Sequence, residues 1–338
     1  MIIRSLALVF LIALGTVSAS AQEAAGARVT IGTRRLTANG ALFLAMAKDY
    51  FKAEGLSVDV TAYRSDKEVA DAAAAGTADF GLAAFTPAAF NYAGRGLIKI
   101  VAAQVREKAG FEGNEVVVSD DAFARGVRKF EDLASASVAI TAVGSQFHYQ
   151  LGQIARIKGF DVNGVMLNPM QTYDAVARAV GTGQADVAIL PSQYARELLV
   201  SAPVKLIGWY SEIDQQQLGA LFVSAKMIET RRAAVEEFVR AYQRGAADYA
   251  AMVRIDRLGK RIVNVKTREA ATIIARYVYP GRPIGSAAAT VGVGAYSMDE
   301  NARLDVPDIQ RQVEWYKTQG LIEQTVDAKE IVDESFIR

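Results

Sequence analysis

Two stretches of this chain repeat one pattern at a fixed offset, and that repetition limits the folds open to it. Residues 68–83 read EVADAAAAGTADFGLA, and residues 173–190 read YDAVARAVGTGQADVAIL. Each is a run of helix-forming small residues, then glycine (Gly76; Gly181 and Gly183), then Ala-Asp (Asp79; Asp186), then a short apolar stretch. Glycine after a helix takes the left-handed C-cap conformation cheaply, so the pattern reads as helix, sharp stop, turn, strand. The two Ala-Asp pairs stand 107 residues apart (186 minus 79). Solenoid repeats recur at roughly 20–50 residues, so this spacing excludes them. The echo predicts two similar lobes, each holding one copy.

The surrounding sequence alternates in the same way. Strands are expected at Val29–Gly32, Leu56–Ala62, Ala78–Ala83 and Ile98–Ala103, with helices at Ala41–Phe51 and Val69–Ala75 between them. Ser65-x-x-Glu68 before the latter is a capping box. In the second half, strands at Val138–Thr141, Val165–Leu167, Pro203–Gly208 and Ala220–Ser224 enclose a helix at Ser145–Lys158. Such alternation predicts an α/β fold with mostly parallel sheets flanked by helices. Three helices follow, at Glu229–Val253, Thr267–Tyr279 and Val306–Lys317, and are expected to cover the first lobe. The expected division is a signal peptide at 1–21, a discontinuous first lobe at 22–118 and 218–338, and a second lobe at 119–217. Crossovers would lie near Ser119–Arg125 and Tyr210–Gln217.

The N-terminus reads as a secretory signal. Arg4 supplies the charge, Ser5–Val17 is apolar, and Ala19-Ser20-Ala21 presents small residues for cleavage. The apolar run falls short of the ~20 residues that span a bilayer. Cleavage is expected after Ala21, leaving a free protein in a bacterial periplasm. With no cysteine in the sequence, disulfides, thiolate metal sites and a lipid anchor on an N-terminal Cys are excluded. A net charge of +1 leaves no electrostatic footprint for nucleic acid.

Segment Asn39–Leu56 (NGALFLAMAKDYFKAEGL) resembles the opening of periplasmic substrate-binding proteins of ABC importers, in the class that binds nitrate, taurine, sulfonates and thiamine precursors. Ala75-Gly76-x-Ala-Asp79-Phe, Lys129-Phe-Glu-Asp-Leu133, Gly144-Ser145, Gly183-Gln-Ala-Asp186, Gln319-Gly-Leu-Ile322 and Asp333-x-Ser-Phe336 extend the resemblance over nearly the whole mature chain. No single motif is specific, but their order is. The resemblance implies a type II-like two-lobed periplasmic-binding-protein fold with two hinge crossovers. It also implies a ligand held between the lobes and an ABC permease with a cytoplasmic ATPase as partner.

Doubly wound sheets place ligands beyond the carboxyl ends of their strands, where helix N-termini offer N–H groups and positive dipole ends. Four such turns stand out: Arg34–Asn39, Ala84–Pro87, Val143–Gln146 and Leu190–Gln193. Candidate ligand-binding residues are Arg34, Thr37, Asn39, Phe85, Thr86, Ser145, Gln146, Phe147, His148, Ser192, Trp209 and Tyr210. Thr86 and Ser145 can cap helices, and adjacent strand residues face opposite ways, so Arg34 is favoured over Arg35. Phe85, Phe147, Trp209 and Tyr210 are candidate apolar walls. His148, the sole histidine, cannot build a His-rich zinc site and is expected neutral at a helix N-terminus. Asp79 and Asp186 are expected to tie down their turns. No nucleophile elbow, P-loop or dinucleotide fingerprint occurs. The reading is a monomeric, cofactor-free binding protein, not an enzyme, for a small organic carboxylate or sulfonate. Alternatives are a neutral pyrimidine-like ligand, a membrane-sensor partner in place of an importer, and a thiamine-pyrimidine synthase-like enzyme.

Overall fold

Both apolar runs of the echo become strands inside separate sheets. The computed structural model describes residues 26–257 and 260–337; the secretory segment read at Met1–Ala21 lies outside them. The first sheet has the order β2-β1-β3-β12-β4, from β1 (Ala27–Thr33), β2 (Leu56–Ala62), β3 (Phe80–Ala84), β4 (Ile98–Ala103) and β12 (Gly219–Ser224). The second has the order β8-β7-β9-β6-β10, from β6 (Asn114–Ser119), β7 (Ser137–Ile140), β8 (Met166–Pro169), β9 (Val187–Pro191) and β10 (Val204–Trp209). The two orders match position for position. In each, one strand (β12 or β6) runs antiparallel to neighbours that are otherwise parallel.

The echoed aspartates explain why the lobes coincide. Asp79 Oδ2 accepts from the Thr30 N–H and hydroxyl at 2.8 and 3.1 Å. Asp186 Oδ2 accepts from the Ser137 N–H and hydroxyl at 2.8 and 3.0 Å. Each carboxylate thus pins the turn before one parallel strand onto the start or middle of its parallel neighbour, β3 onto β1 and β9 onto β7, 49 residues back in both cases. A hydrogen bond to a charged group contributes about 1.5–3 kcal/mol, enough to fix a turn.

Helices flank the first sheet: α1 (Gly40–Ala47), α2 (Tyr50–Ala53), α3 (Asp66–Ala74) and α4 (Pro87–Gly94). The second lobe carries α5 (Asp120–Ala124), α6 (Gln146–Lys158), α7 (Tyr173–Gly181) and α8 (Ser192–Ser201). The C-terminal helices are α9 (Ala225–Met252), α10 (Val265–Val278), α11 (Ile284–Val293), α12 (Val306–Thr318) and α13 (Ala328–Ile331). One core lies between the first sheet and α1, α9 and α10, around Phe80, Phe238 and Tyr242. A second fills the opposite face of that sheet, around Phe85, Phe90, Phe222 and Tyr316. The third is the interior of the second lobe, around Val116–Val118, Phe147 and Tyr210.

Three expectations are corrected. The crossover read at Ser119–Arg125 lies earlier, because Asn114–Ser119 is already a strand of the second sheet. Its Val116–Val118 run is fully buried, as a strand covered on both faces must be. The chain passes between sheets at residues 104–113 and 210–218, where β5 (Arg106–Glu107) pairs antiparallel with β11 (Gln216–Gln217). The single helix read over Ala41–Phe51 breaks between α1 and α2, where Asp49 takes a left-handed φ of 56°. The capping box is half formed: Ser65 accepts from Glu68 N–H at 3.2 Å, but Glu68 reaches the Arg64 N–H. The C-terminal helices also do more than cover the first lobe. Trp315 of α12 packs edge-on against His148 and Tyr149 of α6, so α12 joins the two lobes.

Candidate ligand-binding cleft

All four turns named from the sequence lie where the lobes face one another. Two of them, at the starts of α4 and α6, line a groove of 300 Å³ together with the start of α3 and Gln171 ahead of α7. Thr86 caps α4, its Oγ1 accepting from Ala89 N–H at 3.2 Å. Ser145 caps α6, accepting from His148 N–H at 3.4 Å. Ser65 and Thr172 cap α3 and α7 in the same way. First-turn N–H groups of a helix lack intrahelical acceptors, and the dipole makes that end positive. The groove is therefore bounded by positive helix ends from both lobes. Its volume reaches the lower end of the ~300–1,000 Å³ typical of small-molecule sites.

Deeper between the lobes, the other two turns line a small cavity with Gln104, Gln146, Tyr173, Gln193 and Tyr296. Its volume of 20 Å³ holds about one water. Its polar lining is neutral except for Asp66, which borders groove and cavity alike. The buried Gln146 Oε1 has no hydrogen-bond partner, and neither has the buried Thr37 Oγ1. Buried polar atoms are nearly always satisfied, so the Gln146 side chain, which lines the cavity, is placed to accept from a water or a ligand group there.

Arg34 stands beside both spaces. It is buried and donates to Asp66 at 2.9 Å, and its guanidinium lies 4.3 Å from the centre of the Tyr173 ring in the other lobe. Arg35 is exposed. Burial opposes the Arg34 charge, but Tyr173 and Asp66 outweigh it and raise its pKa above the ordinary arginine value. Asp66 and Tyr173 share the 107-residue offset of the echoed aspartates and open α3 and α7 respectively. Two more contacts join the lobes: Thr37 N–H donates to Gln193 Oε1 at 3.2 Å, and Gly144 lies against Pro87.

The remaining candidates sit elsewhere. Asn39 is spent internally, donating to the Arg34 carbonyl at 2.8 Å and accepting from Gln104 at 2.5 Å. Phe85 stacks on Phe90 in the first-lobe core, and Phe147 and Tyr210 are fully buried in the second. Trp209 ends β10, outside both linings. None of these four aromatics lines the groove or the cavity: Phe85, Phe147 and Tyr210 are packed into cores, and Trp209 is half-buried at the end of β10. Ser192 donates to the buried Glu115, which also takes Arg196 at 2.7 Å. His148 Nδ1 accepts from Gly144 N–H at 3.1 Å, and burial lowers its pKa, so it is a neutral clamp on its own turn. Sequence reading missed Asp66, Tyr173, Gln104, Gln171 and Tyr296. The echo itself signals the first two; nothing local marks Tyr296, which arrives from the far C-terminal region.

Two matched sheets, joined twice and enclosing a cleft built from helix N-termini, define a two-lobed solute-binding protein fold. A model described as NMT1/THI5-like matches residues 37–252, and the chain belongs to that family. The fold is similar to the periplasmic aliphatic sulphonate-binding protein SsuA from Escherichia coli (14% identity, TM-score 0.70, covering 91% of this chain and 92% of that one). It is also similar to the ligand-binding component of an ABC-type import system from Staphylococcus aureus, solved with zinc bound (11%, 0.69, 92% and 97%). The desulfurization enzyme DSZB shares the fold as well (14%, 0.58, 91% and 97%). Among curated proteins, none matches the sequence. Among the described residues, no three His, Asp or Glu side chains are placed to hold a metal ion, and no helix is long and apolar enough to cross a membrane.

Proposed function

We propose that this protein is the periplasmic solute-binding component of an ABC importer and that it captures a small organic anion, a carboxylate or sulfonate. The carrying observation is the 300 Å³ groove on which helix N-termini of both lobes converge beside Arg34. Such ends favour anions by about 0.3–1 kcal/mol each when exposed, and more when partly buried. The sulphonate-binding and import-system relatives of this fold support the same reading. The signal-like N-terminus supports export, and delivery would be to a membrane permease. We read the protein as a monomeric binding component whose one histidine serves its own turn, through the Gly144 N–H, and not a reaction.

A neutral, pyrimidine-like ligand is the second reading. The engagement of Arg34 by Asp66, which already balances the guanidinium charge beside the groove, favours it. A thermal-shift screen of the mature protein against alkane- and arenesulfonates, small carboxylates and neutral heterocycles separates the two, since a ligand that binds only the folded form raises the melting temperature. Calorimetry on Thr86→Ala and Ser145→Ala then locates the site. Each hydroxyl lost to a charged ligand should weaken binding on the order of tenfold to a hundredfold. Unchanged affinity in both variants places the ligand elsewhere.

A further inference from the structure

A second concavity shares no lining residue with the cleft. It runs between α10 and α11, is bordered by Gly110 and Glu112 of the first crossing segment, and measures 740 Å³. It exists because α11 presents small residues: Gly285, Ala288, Ala289 and Gly292 line it, facing Ala271 and Thr272 of α10. Larger apolar side chains complete the lining and stay open to solvent, with Val263 65% and Val293 46% exposed.

The charges around this trough are unbalanced. Lys260, Arg261 and Arg268 line it, and among the described residues none of them forms an ion pair. Glu112 is the carboxylate in the lining, and Arg196 holds it at 2.5 Å. Arg261 is the telling residue. Its guanidinium lies 4.9 Å from the Phe111 ring centre and donates to the carbonyls of Val253 (3.4 Å) and Ala295. It is half-buried, its hydrogen bonds go only to neutral carbonyls, and the one carboxylate that acts on it, Glu112, is already held by Arg196; a partly desolvated cation with so little counter-charge is costly. An apolar trough beside unmatched cations has the chemistry of a site for an amphiphile with a negative head.

We propose that this groove binds a free single-chain amphiphile with one anionic headgroup, a long-chain carboxylate or sulfonate, its head against Arg261 and its chain over the alanines of α10 and α11. The proposal stands on the groove alone and is independent of what the cleft binds.

The test uses the mature protein and dodecanoate in titration calorimetry, with dodecanol and butyrate as controls. Dodecanoate should bind saturably at one site, and dodecanol, lacking the charge, at least about tenfold more weakly. Butyrate should not saturate. Arg268→Gln should weaken dodecanoate about tenfold, and Ala289→Trp should fill the trough and abolish binding. Both positions are exposed, so unchanged circular dichroism is expected of these variants even if Arg261→Gln destabilises the fold. Thr86→Ala, in the cleft, should leave dodecanoate affinity unchanged. The proposal is overturned by failure of dodecanoate to saturate below about 1 mM, or by binding that survives both Ala289→Trp and Arg268→Gln. Loss of binding in Thr86→Ala, or association with phosphatidylglycerol vesicles in the absence of dodecanoate binding, overturns it equally.

Discussion

Arg34 decides between the two ligand readings, because its charge is held by one carboxylate whose other duty is separable. Asp66 Oδ2 takes Arg34, while Asp66 Oδ1 accepts the Ala84 N–H at 3.1 Å. Asp66→Asn can keep its oxygen on the Ala84 N–H, but it turns an NH2 donor toward Arg34, so both the charge and the hydrogen bond that hold the guanidinium are lost. An anion in the groove would then meet an uncompensated guanidinium and should bind more tightly, on the order of tenfold for a gain of about 1.4 kcal/mol. Arg34→Gln should weaken the same anion by a comparable factor. A neutral ligand should respond little to either change. Calorimetry with the best ligand from the screen reads the signs directly, and an anion indifferent to both variants removes Arg34 from the site. Both variants should fold less stably, since the pair is largely buried and breaking such a pair leaves one charge unmatched.

The β7–α6 turn shows what an element contributes beyond its single residues. Gly144 has φ of 82°, which favours glycine, and a Cβ there would meet Pro87 Cγ of the other lobe at 2.6 Å. Gly144→Ala should therefore hold the lobes apart: lower ligand affinity and, in small-angle scattering, less compaction on binding than the parent shows. Equal compaction in parent and variant would mean that this turn does not set the approach. Much of the architecture around it is legible in sequence, because it depends on short-range signals. Gly76 and Gly183 stop helices, Ser65, Thr86 and Ser145 start them, and Asp79 and Asp186 fasten equivalent turns. What escapes is set by long-range packing. Two-residue strands β5 and β11 have no periodicity to read, and α11 is so rich in small residues that no apolar stripe announces it. Trp209 and Tyr210 look like pocket aromatics until β10 is paired with β6, which places Tyr210 in the second core. The deep cavity is harder still, since Gln104, Gln146, Gln193 and Tyr296 meet there from four separate parts of the chain.

At the scale of the molecule, the two lobes depend on the crossing segments, and an ionisable group is sealed inside one of them. Glu107 lies on β5 with no solvent exposure; its Oε1 accepts from Asn114 N–H at 2.8 Å, and its Oε2 has no partner. Burial pushes its pKa up to about 8 from an ordinary 4.5, and the Asn114 hydrogen bond offsets only part of this. The folded protein thus keeps a proton on Glu107 through a window in which the unfolded chain has lost it. Where the folded state binds more protons, stability falls as pH rises, by at most about 1.4 kcal/mol per pH unit from one group. Glu107 accordingly stabilises the fold relative to its ionised form below the unfolded value, and that contribution is lost as pH climbs toward 8. Urea unfolding at pH 5, 6, 7 and 8 should show this decline in the parent protein. Glu107→Gln, a neutral mimic of the protonated acid, should flatten it and should be the more stable of the two at pH 8. Parallel pH profiles for parent and variant would show that the carboxyl ionises without cost, and that the strand pair joining the lobes is not the dry junction described above.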